Sequence, residues 1–127
     1  MVLVTKYRRK VFNEGIFAYF ELKLEEIKKH YPLMTFKTVN HDEDHIHLQI
    51  TIPPTMSVGN AVRIIKSNTA KSLKQKFQFL KDVYWGTDGF WSESYFVSTI
   101  GLDEDVIKKY IENQGKEDSG QAKLVFN

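Results

Sequence analysis

This sequence predicts an α+β fold: an antiparallel sheet of split β-α-β plan, as in ferredoxin-like or RRM-like domains, with helices packed on it. Three observations predict it. Apolar residues recur at helical spacing in several segments, they alternate strictly in one strand-like segment, and turn residues punctuate the chain in the order β-α-β-β-α-β-α. The 127 residues, 42% hydrophobic and 13% aromatic, are enough for one compact domain over 1–127 and short for two.

Val2-Leu3-Val4 continues into Thr5-Lys6-Tyr7 as a first strand of β-branched and aromatic residues. The chain thus opens almost directly in structure. Asn13 supplies an N-cap for a helix in which Ile16, Phe17, Phe20, Leu24 and Ile27 form the apolar stripe, ending near His30 ahead of Tyr31-Pro32. Leu33 to Asn40 alternate as a second strand, and His41-Asp42-Glu43-Asp44 turns the chain into a third. In the third strand, His45 to Ile52, Ile46, Leu48, Ile50 and Ile52 take one face, while His45, His47 and Gln49 share the other.

Pro53-Pro54 stops that strand, and Ser57 caps a helix containing Val58, Ala61, Val62 and Ile65. A polar step at Ser67-Asn68-Thr69 is expected to divide it from a second helical stretch with Leu73, Phe77 and Leu80. Gly86 and Gly89 mark a loop, Tyr95 to Ile100 form a fourth strand, and Gly101 ends it. A last helix runs from about Asp103 to Gln114, acidic at its start and carrying Lys108 and Lys109 further on, with Gly115 as its stop. Residues 116–127 read as a mobile polar tail in which Leu124-Val125-Phe126 could dock.

Composition excludes several classes of function. Zero cysteines rule out disulfides, thiolate metal sites, iron–sulfur clusters and a cysteine nucleophile. No apolar run reaches the roughly 18 residues of a membrane span, and the N-terminus lacks signal-peptide order, so a soluble, intracellular chain without a membrane partner is expected. The net charge, 18 basic minus 16 acidic residues, is only +2. Its distribution says more: Lys6, Arg8, Arg9 and Lys10 cluster without an acid, and Thr51 to Lys81 holds six basic residues and no acidic one. Such segregation suits a polyanion such as a phosphate backbone, and it equally suits a solvated lysine-rich helix face.

His45 and His47, two apart on a strand, can ligate one cation, and a half-exposed strand with two surface histidines has the same pattern. Tyr110 and Gln114 lie four apart and share a helix face, so a phenol and an amide oxygen can reach one site.

Further residues carry a resemblance. Thr5-Lys6-Tyr7-Arg8-Arg9-Lys10-Val11-Phe12, Asp44-His45-Ile46-His47-Leu48, Ile52-Pro53-Pro54, Trp91 to Gly101 and Tyr110-Ile111-Glu112-Asn113-Gln114 resemble, in unbroken order over about residues 3 to 114, the motifs of the single-tyrosine HUH transposases. These are small prokaryotic insertion-sequence enzymes that move single-stranded DNA. The resemblance implies a metal-dependent DNA strand transferase in which Tyr110 attacks a phosphodiester at an element end to give a 5′-phosphotyrosine. It implies that His45, His47 and Gln114 bind a divalent metal, Mg²⁺ or Mn²⁺ by family precedent. It implies a homodimer, with sites that the tyrosine helix of either chain can complete, and a cytoplasmic, nucleoid-associated protein.

Lys6, Arg8, Arg9 and Lys10, with Arg63, Lys66, Lys71 and Lys74, are the residues expected to hold the folded-back, hairpin-bearing single strand. Stacking of unpaired bases on Trp85, Trp91 or Tyr95 is a further expectation, although Trp91 and Tyr95 also suit a core. The rival functions are a non-catalytic single-strand nucleic-acid module, a hydrolytic metalloenzyme, and a relaxase or replication initiator of the HUH type.

Overall fold

The computed structural model describes residues 1–87, 89–98, 104–117 and 124–125. Its elements are β1 (Val2–Val4), a 3-10 turn (Lys6–Arg8), α1 (Glu14–His30), β2 (Thr35–His41), β3 (His45–Thr51), α2 (Val58–Lys76), α3 (Phe79–Val83), β4 (Tyr95–Phe96), α4 (Glu104–Glu117) and β5 (Leu124–Val125). The strands form one sheet in the order β2-β3-β1-β4-β5. The first three contacts in that order are antiparallel and β5 lies parallel to β4. With β3 threaded between β1 and β2, which run the same way, this is the split β-α-β plan the sequence predicted.

The register decides which face each residue takes. Val2 pairs with His47, Leu3 with Ile46 and Val4 with His45. Because side chains alternate along a strand, Leu3 and Ile46 share one face while Val2, Val4 and the two histidines share the other. The first face carries the large core: Ile16, Phe20, Leu24 and Ile27 of α1 meet Ala61, Ile65 and Leu73 of α2 over Leu3, Ile46 and Leu48. The second face carries α4 over a small cluster of Val2, Val4, Phe96, Tyr110 and Ile111.

Helix α1 starts where Asn13 Oδ1 accepts from the Ile16 amide at 2.9 Å, and α2 where Ser57 Oγ accepts from the Asn60 amide at 3.0 Å. The expected break at Ser67-Asn68-Thr69 does not occur, and α2 is continuous. Each of the three side chains bonds back one turn: Ser67 to Ile64 O at 3.4 Å, Asn68 to Ile64 O at 2.7 Å and Thr69 to Ile65 O at 2.7 Å. Polar groups that compete with a helix in isolation are satisfied here by its own carbonyls.

Other boundaries differ from expectation: β2 runs Thr35–His41 instead of Leu33 to Asn40, and β3 ends at Thr51 instead of Ile52. The first strand ends at Val4, because Tyr7 (φ 59°) and Arg8 (φ 52°) take left-handed conformations that L-residues adopt at a cost of order 1–2 kcal/mol each. Thr5 anchors this turn: its amide donates to Asp44 O at 3.0 Å, and its hydroxyl lies 2.8 Å from Arg9 O and 3.1 Å from Asp44 O. The fourth strand is only Tyr95–Phe96, with Val97 and Ser98 outside it and Thr99 to Asp103 outside the described residues. Gly115 does not end α4, which runs on to Glu117. Of the expected tail, 118–123 and 126–127 lie outside the described residues, and Leu124–Val125 pair with β4.

Candidate active site

Strand β3 presents His45 and His47 side by side, with ring centroids 4.7 Å apart. The alternation that buries Ile46 and Leu48 in the α1/α2 core forces both imidazoles onto the α4 face, so their proximity is a consequence of the strand itself. Asp44, buried at the strand's start, sets the chemistry of the first ring: its Oδ1 lies 2.7 Å from His45 Nδ1. An ionised carboxylate only accepts, so Nδ1 carries a proton, and the ring is oriented with Nε2 away from Asp44. The hydrogen bond from His45 holds the Asp44 carboxyl below the usual carboxylate range, with Arg8 adding to it and burial opposing. Arg8 Nε donates to Asp44 Oδ2 at 3.3 Å, which makes a chain of three polar groups from the strained turn to the histidine.

Burial lowers the His47 imidazole below the ordinary histidine range; His45 and the amino terminus push the same way, and Asp42 opposes them. The two imidazoles face one region, a donor pair that fits a divalent cation. Among the described residues no group of three His, Cys, Asp or Glu side chains completes such a site. Gln114, the expected third donor, lies on α4 one turn beyond Tyr110, and its side chain is outside the described residues.

Tyr110 is 8% exposed and packs on Phe96, with centroids 5.6 Å apart. Its hydroxyl is 2.8 Å from Ser94 Oγ, on the β4 side of the sheet. The histidines are on β3, beyond β1. Lys108, Ile111 and Glu112 of the same helix, rather than Tyr110, line a cavity of about 520 Å³ with Arg8, Asp44 and both histidines. Within one chain, then, α4 covers the histidine pair but turns its phenol toward Ser94.

Residues 1–114 match the family described as IS200-like transposases. The chain belongs to the IS200-like transposase family. It is 37% identical over 75 residues to the transposase for insertion sequence element IS200 of Salmonella typhimurium, 59% of this chain and 49% of that protein. It is 31% identical over 72 residues to the ISDra2 transposase TnpA of Deinococcus radiodurans, 56% of this chain and 51% of that protein. The chain spans about half the length of the curated relatives it matches. A crystal structure from Deinococcus radiodurans R1, described as that of a transposase, superposes with a TM-score of 0.78 at 26% identity, covering 89% of this chain and 86% of that one.

In this member of the IS200-like family the basic residues do not form one surface. Lys10, 3.9 Å from Glu43, lines the histidine cavity with Arg8. Lys6 and Arg9 flank the exposed Tyr7 ring, 5.6 and 5.9 Å from its centroid. Helix α2 packs on the opposite face of the sheet. There Arg63 is exposed and donates to Asn60 Oδ1 at 2.7 Å, Lys71 is exposed, and Lys74 lies 5.9 Å from the Tyr84 ring centroid. Lys66 reaches inward instead: Nζ donates to Ser92 O at 2.6 Å and Ser94 O at 2.9 Å, tying α2 to the segment that leads into β4.

Of the aromatic residues considered for stacking, Trp91 is a core residue whose Nε1 donates to Thr69 Oγ1 at 3.0 Å. Tyr95 is partly buried against the core, whereas Trp85 is 84% exposed. Sequence reasoning assigned no role to Asp44 or Ser94. The position of Asp44 next to a paired histidine was a usable signal for the first. Nothing local marks Ser94, which is sixteen residues from Tyr110 and meets it only through the packing of α4.

No helix among the described residues is long and apolar enough to cross a membrane.

Proposed function

We propose that this chain is a DNA transposase that cleaves and rejoins single-stranded DNA at hairpin-bearing element ends, with Tyr110 as nucleophile. The observation that carries the reading is the Asp44-oriented histidine pair lying under the helix that bears Tyr110, in a chain of the IS200-like transposase family. His45 and His47, with Gln114, would hold Mg²⁺ or Mn²⁺, which when bound would polarise the scissile phosphate and offset charge on the leaving oxygen. A phenol has a pKa of about 10 and is a weak nucleophile near neutrality, so positioning carries much of the remaining burden.

In cleavage the Tyr110 oxygen bonds to phosphorus as its proton leaves to solvent. The bond from phosphorus to the 3′ oxygen breaks, and that oxygen departs with the bond's electron pair and takes a proton from solvent to become a hydroxyl. The 5′-phosphotyrosine conserves the bond energy, so a 3′-hydroxyl can reverse the step and join a new strand without a nucleotide cofactor. Arg8 and Lys10, in the histidine cavity, would meet the backbone of the bound strand, and Lys6, Arg9 and the exposed α2 residues Arg63 and Lys71 would extend that contact. Lys66 and Lys74 were expected there too; the inward hydrogen bonds of Lys66 favour a role in holding β4.

The direction of the phenol supports a homodimer with composite sites. Tyr110 is bonded to Ser94 on the β4 side of its own sheet, across β1 from the histidines, so a histidine pair presented by a second copy is a fitting destination for it. Such a protein would act in the cytoplasm, on the nucleoid.

The decisive experiment incubates the protein with labelled single-stranded DNA carrying the ends of its flanking element, with and without Mg²⁺ or Mn²⁺, followed by denaturing electrophoresis. A metal-dependent, protease-sensitive adduct that Tyr110→Phe abolishes is the expected result. Binding without any adduct would transfer the assignment to a non-catalytic single-strand binding module. Mixing Tyr110→Phe with His45→Ala chains should restore the adduct if the sites are shared between subunits; no rescue would place each site within one chain.

A further inference from the structure

Arg8 and Lys10 line the histidine cavity together, but they are held differently. The Lys10 side chain is 73% exposed and lies 3.9 Å from Glu43, itself largely exposed. Arg8 reaches inward, where its Nε donates at 3.3 Å to Oδ2 of the Asp44 carboxylate, a side chain only 12% exposed.

The segment that carries Arg8 grips the start of β3 at further points. The Thr5 amide donates to Asp44 O at 3.0 Å, the Thr5 hydroxyl lies 3.1 Å from the same oxygen, and the Phe12 amide donates to Glu43 O at 2.9 Å. Main chain and side chain of Asp44 are therefore both fixed by the segment from Thr5 to Arg8. The second carboxylate oxygen lies 2.7 Å from His45 Nδ1. A carboxylate this buried needs a donor on each oxygen, since an unmatched charge away from water is costly. His45 supplies one donor and Arg8 the other. Deprived of Arg8, the carboxylate gains by rotating Oδ2 toward solvent, and that rotation breaks its line to the imidazole.

The backbone holds Arg8 there under strain. Tyr7 (φ 59°, ψ 20°) and Arg8 (φ 52°) are consecutive, and among the described residues they are the only ones besides glycine in the left-handed region. Strain of this kind persists where surrounding contacts over-determine it, and it gathers at functional sites. Here the two left-handed residues turn the Arg8 side chain toward a carboxylate 36 residues further along the chain.

We propose that Arg8 is a positioning residue for His45: acting through Asp44, it fixes the imidazole that faces the cation site, and the strained turn aims its guanidinium. The inference rests on the metal role proposed for His45 and adds the residue that secures its orientation. A guanidinium carries donors on more than one edge, so Arg8 can hold Asp44 and still meet a DNA phosphate. Lys10, paired instead with Glu43, serves the phosphate alone.

The test uses DNA-free, metal-free protein at about pH 8, above the ordinary histidine range, and follows the His45 Nδ1 proton by NMR. In the wild type its bond to Asp44 should give a downfield signal that exchanges slowly with water. Arg8→Met should lose that signal or exchange it about tenfold faster, whereas Lys10→Met, which removes the same charge from the same cavity, should match the wild type. An unchanged signal in Arg8→Met would overturn the proposal, and so would an equal change in Lys10→Met, which would make the effect one of cavity charge.

Calorimetry with Mn²⁺ gives a second readout. Removing one cation from the cavity favours the binding of another, so a loss of affinity in Arg8→Met reads position and not charge. Arg8→Met should weaken Mn²⁺ binding about tenfold, and Lys10→Met should not weaken it. Unchanged or tighter binding in Arg8→Met would overturn the proposal. Arg8→Gly covers the case in which Arg8→Met fails to fold, because glycine accepts φ 52° without strain. Its urea midpoint should equal or exceed that of the wild type while the Nδ1 signal is still lost, and a retained signal would overturn the proposal whatever the midpoint. Absence of any adduct from the wild type would count against the proposed chemistry and leave these comparisons standing, since neither readout needs DNA.

Discussion

The two faces of the sheet are built to different standards. On the α1/α2 face, aromatic rings interlock: Phe20 meets Phe12 edge-on at 6.0 Å and Trp91 at 5.9 Å, and Phe12 stacks on Trp91 at 5.7 Å. On the α4 face the described core is five residues, one of them Tyr110 with its hydroxyl bonded to Ser94, beside a pair of imidazoles and a charged cavity. The comparison teaches a division of labour across one strand. Even and odd positions of β3 serve stability and chemistry respectively as Ile46 and Leu48 anchor the strand in a rigid core, and His45 and His47 inherit fixed positions from it.

The largest expected effect breaks the contrast in stability. Phe20→Ala, at a fully buried position within the aromatic cluster, should cost about 3–5 kcal/mol in urea unfolding, whereas Ile111→Ala on the thinner face should cost about 2 kcal/mol. Equal losses would mean that the two faces carry the fold together.

Next in size is the histidine orientation. Asp44→Ala removes the acceptor of the His45 Nδ1 proton and should weaken divalent-metal binding by about 10- to 100-fold in calorimetry. The ring nitrogen signals of metal-free His45 should show a mixture of tautomers in the variant and one tautomer in the wild type. A single unchanged tautomer would place the control of that ring elsewhere.

A smaller effect concerns the phenol. Tyr110→Phe leaves the Phe96 contact intact and removes the bond to Ser94, so its stability should fall by only about 1 kcal/mol even though the adduct is lost. A much larger loss would make Tyr110 chiefly a packing residue.

The smallest effect is a slope. The folded protein disfavours protonated His47, so the unfolded chain takes up that proton first as pH falls through the ordinary histidine range. Metal-free protein should therefore be less stable below about pH 6.5 than above it, and His47→Gln should reduce that part of the dependence in urea titrations at several pH values. An identical dependence in the variant would assign the slope to another group.

Much of this was legible locally. The strict alternation of His45 to Ile52 places two imidazoles together whatever the rest of the chain does, because a strand has period two. The caps at Asn13 and Ser57 were equally readable, since each bonds an amide three residues on. The break expected at Ser67 to Thr69 was a misreading of residues whose side chains are satisfied within the helix, one of which also accepts from Trp91, 22 residues away. Lys66 counted as surface charge in the sequence, and two carbonyls in the segment before β4 turned it inward.

The sequence by itself determined the β-α-β-β-α-β-α order, the histidine pair, the helix that bears Tyr110 and, through ordered motifs, the family. The first three depend on residues within a turn or a strand of one another, and the family on the order of motifs along residues 1–114. Only the tertiary structure decided that Arg8 reaches back to Asp44, that Asn40 stands opposite His47 and that Tyr110 turns to Ser94 instead of the histidines beside its own helix. Those pairings join groups seven, 16 and 36 residues apart, and strand register and helix packing, which minimise exposed apolar surface over the whole domain, choose such partners.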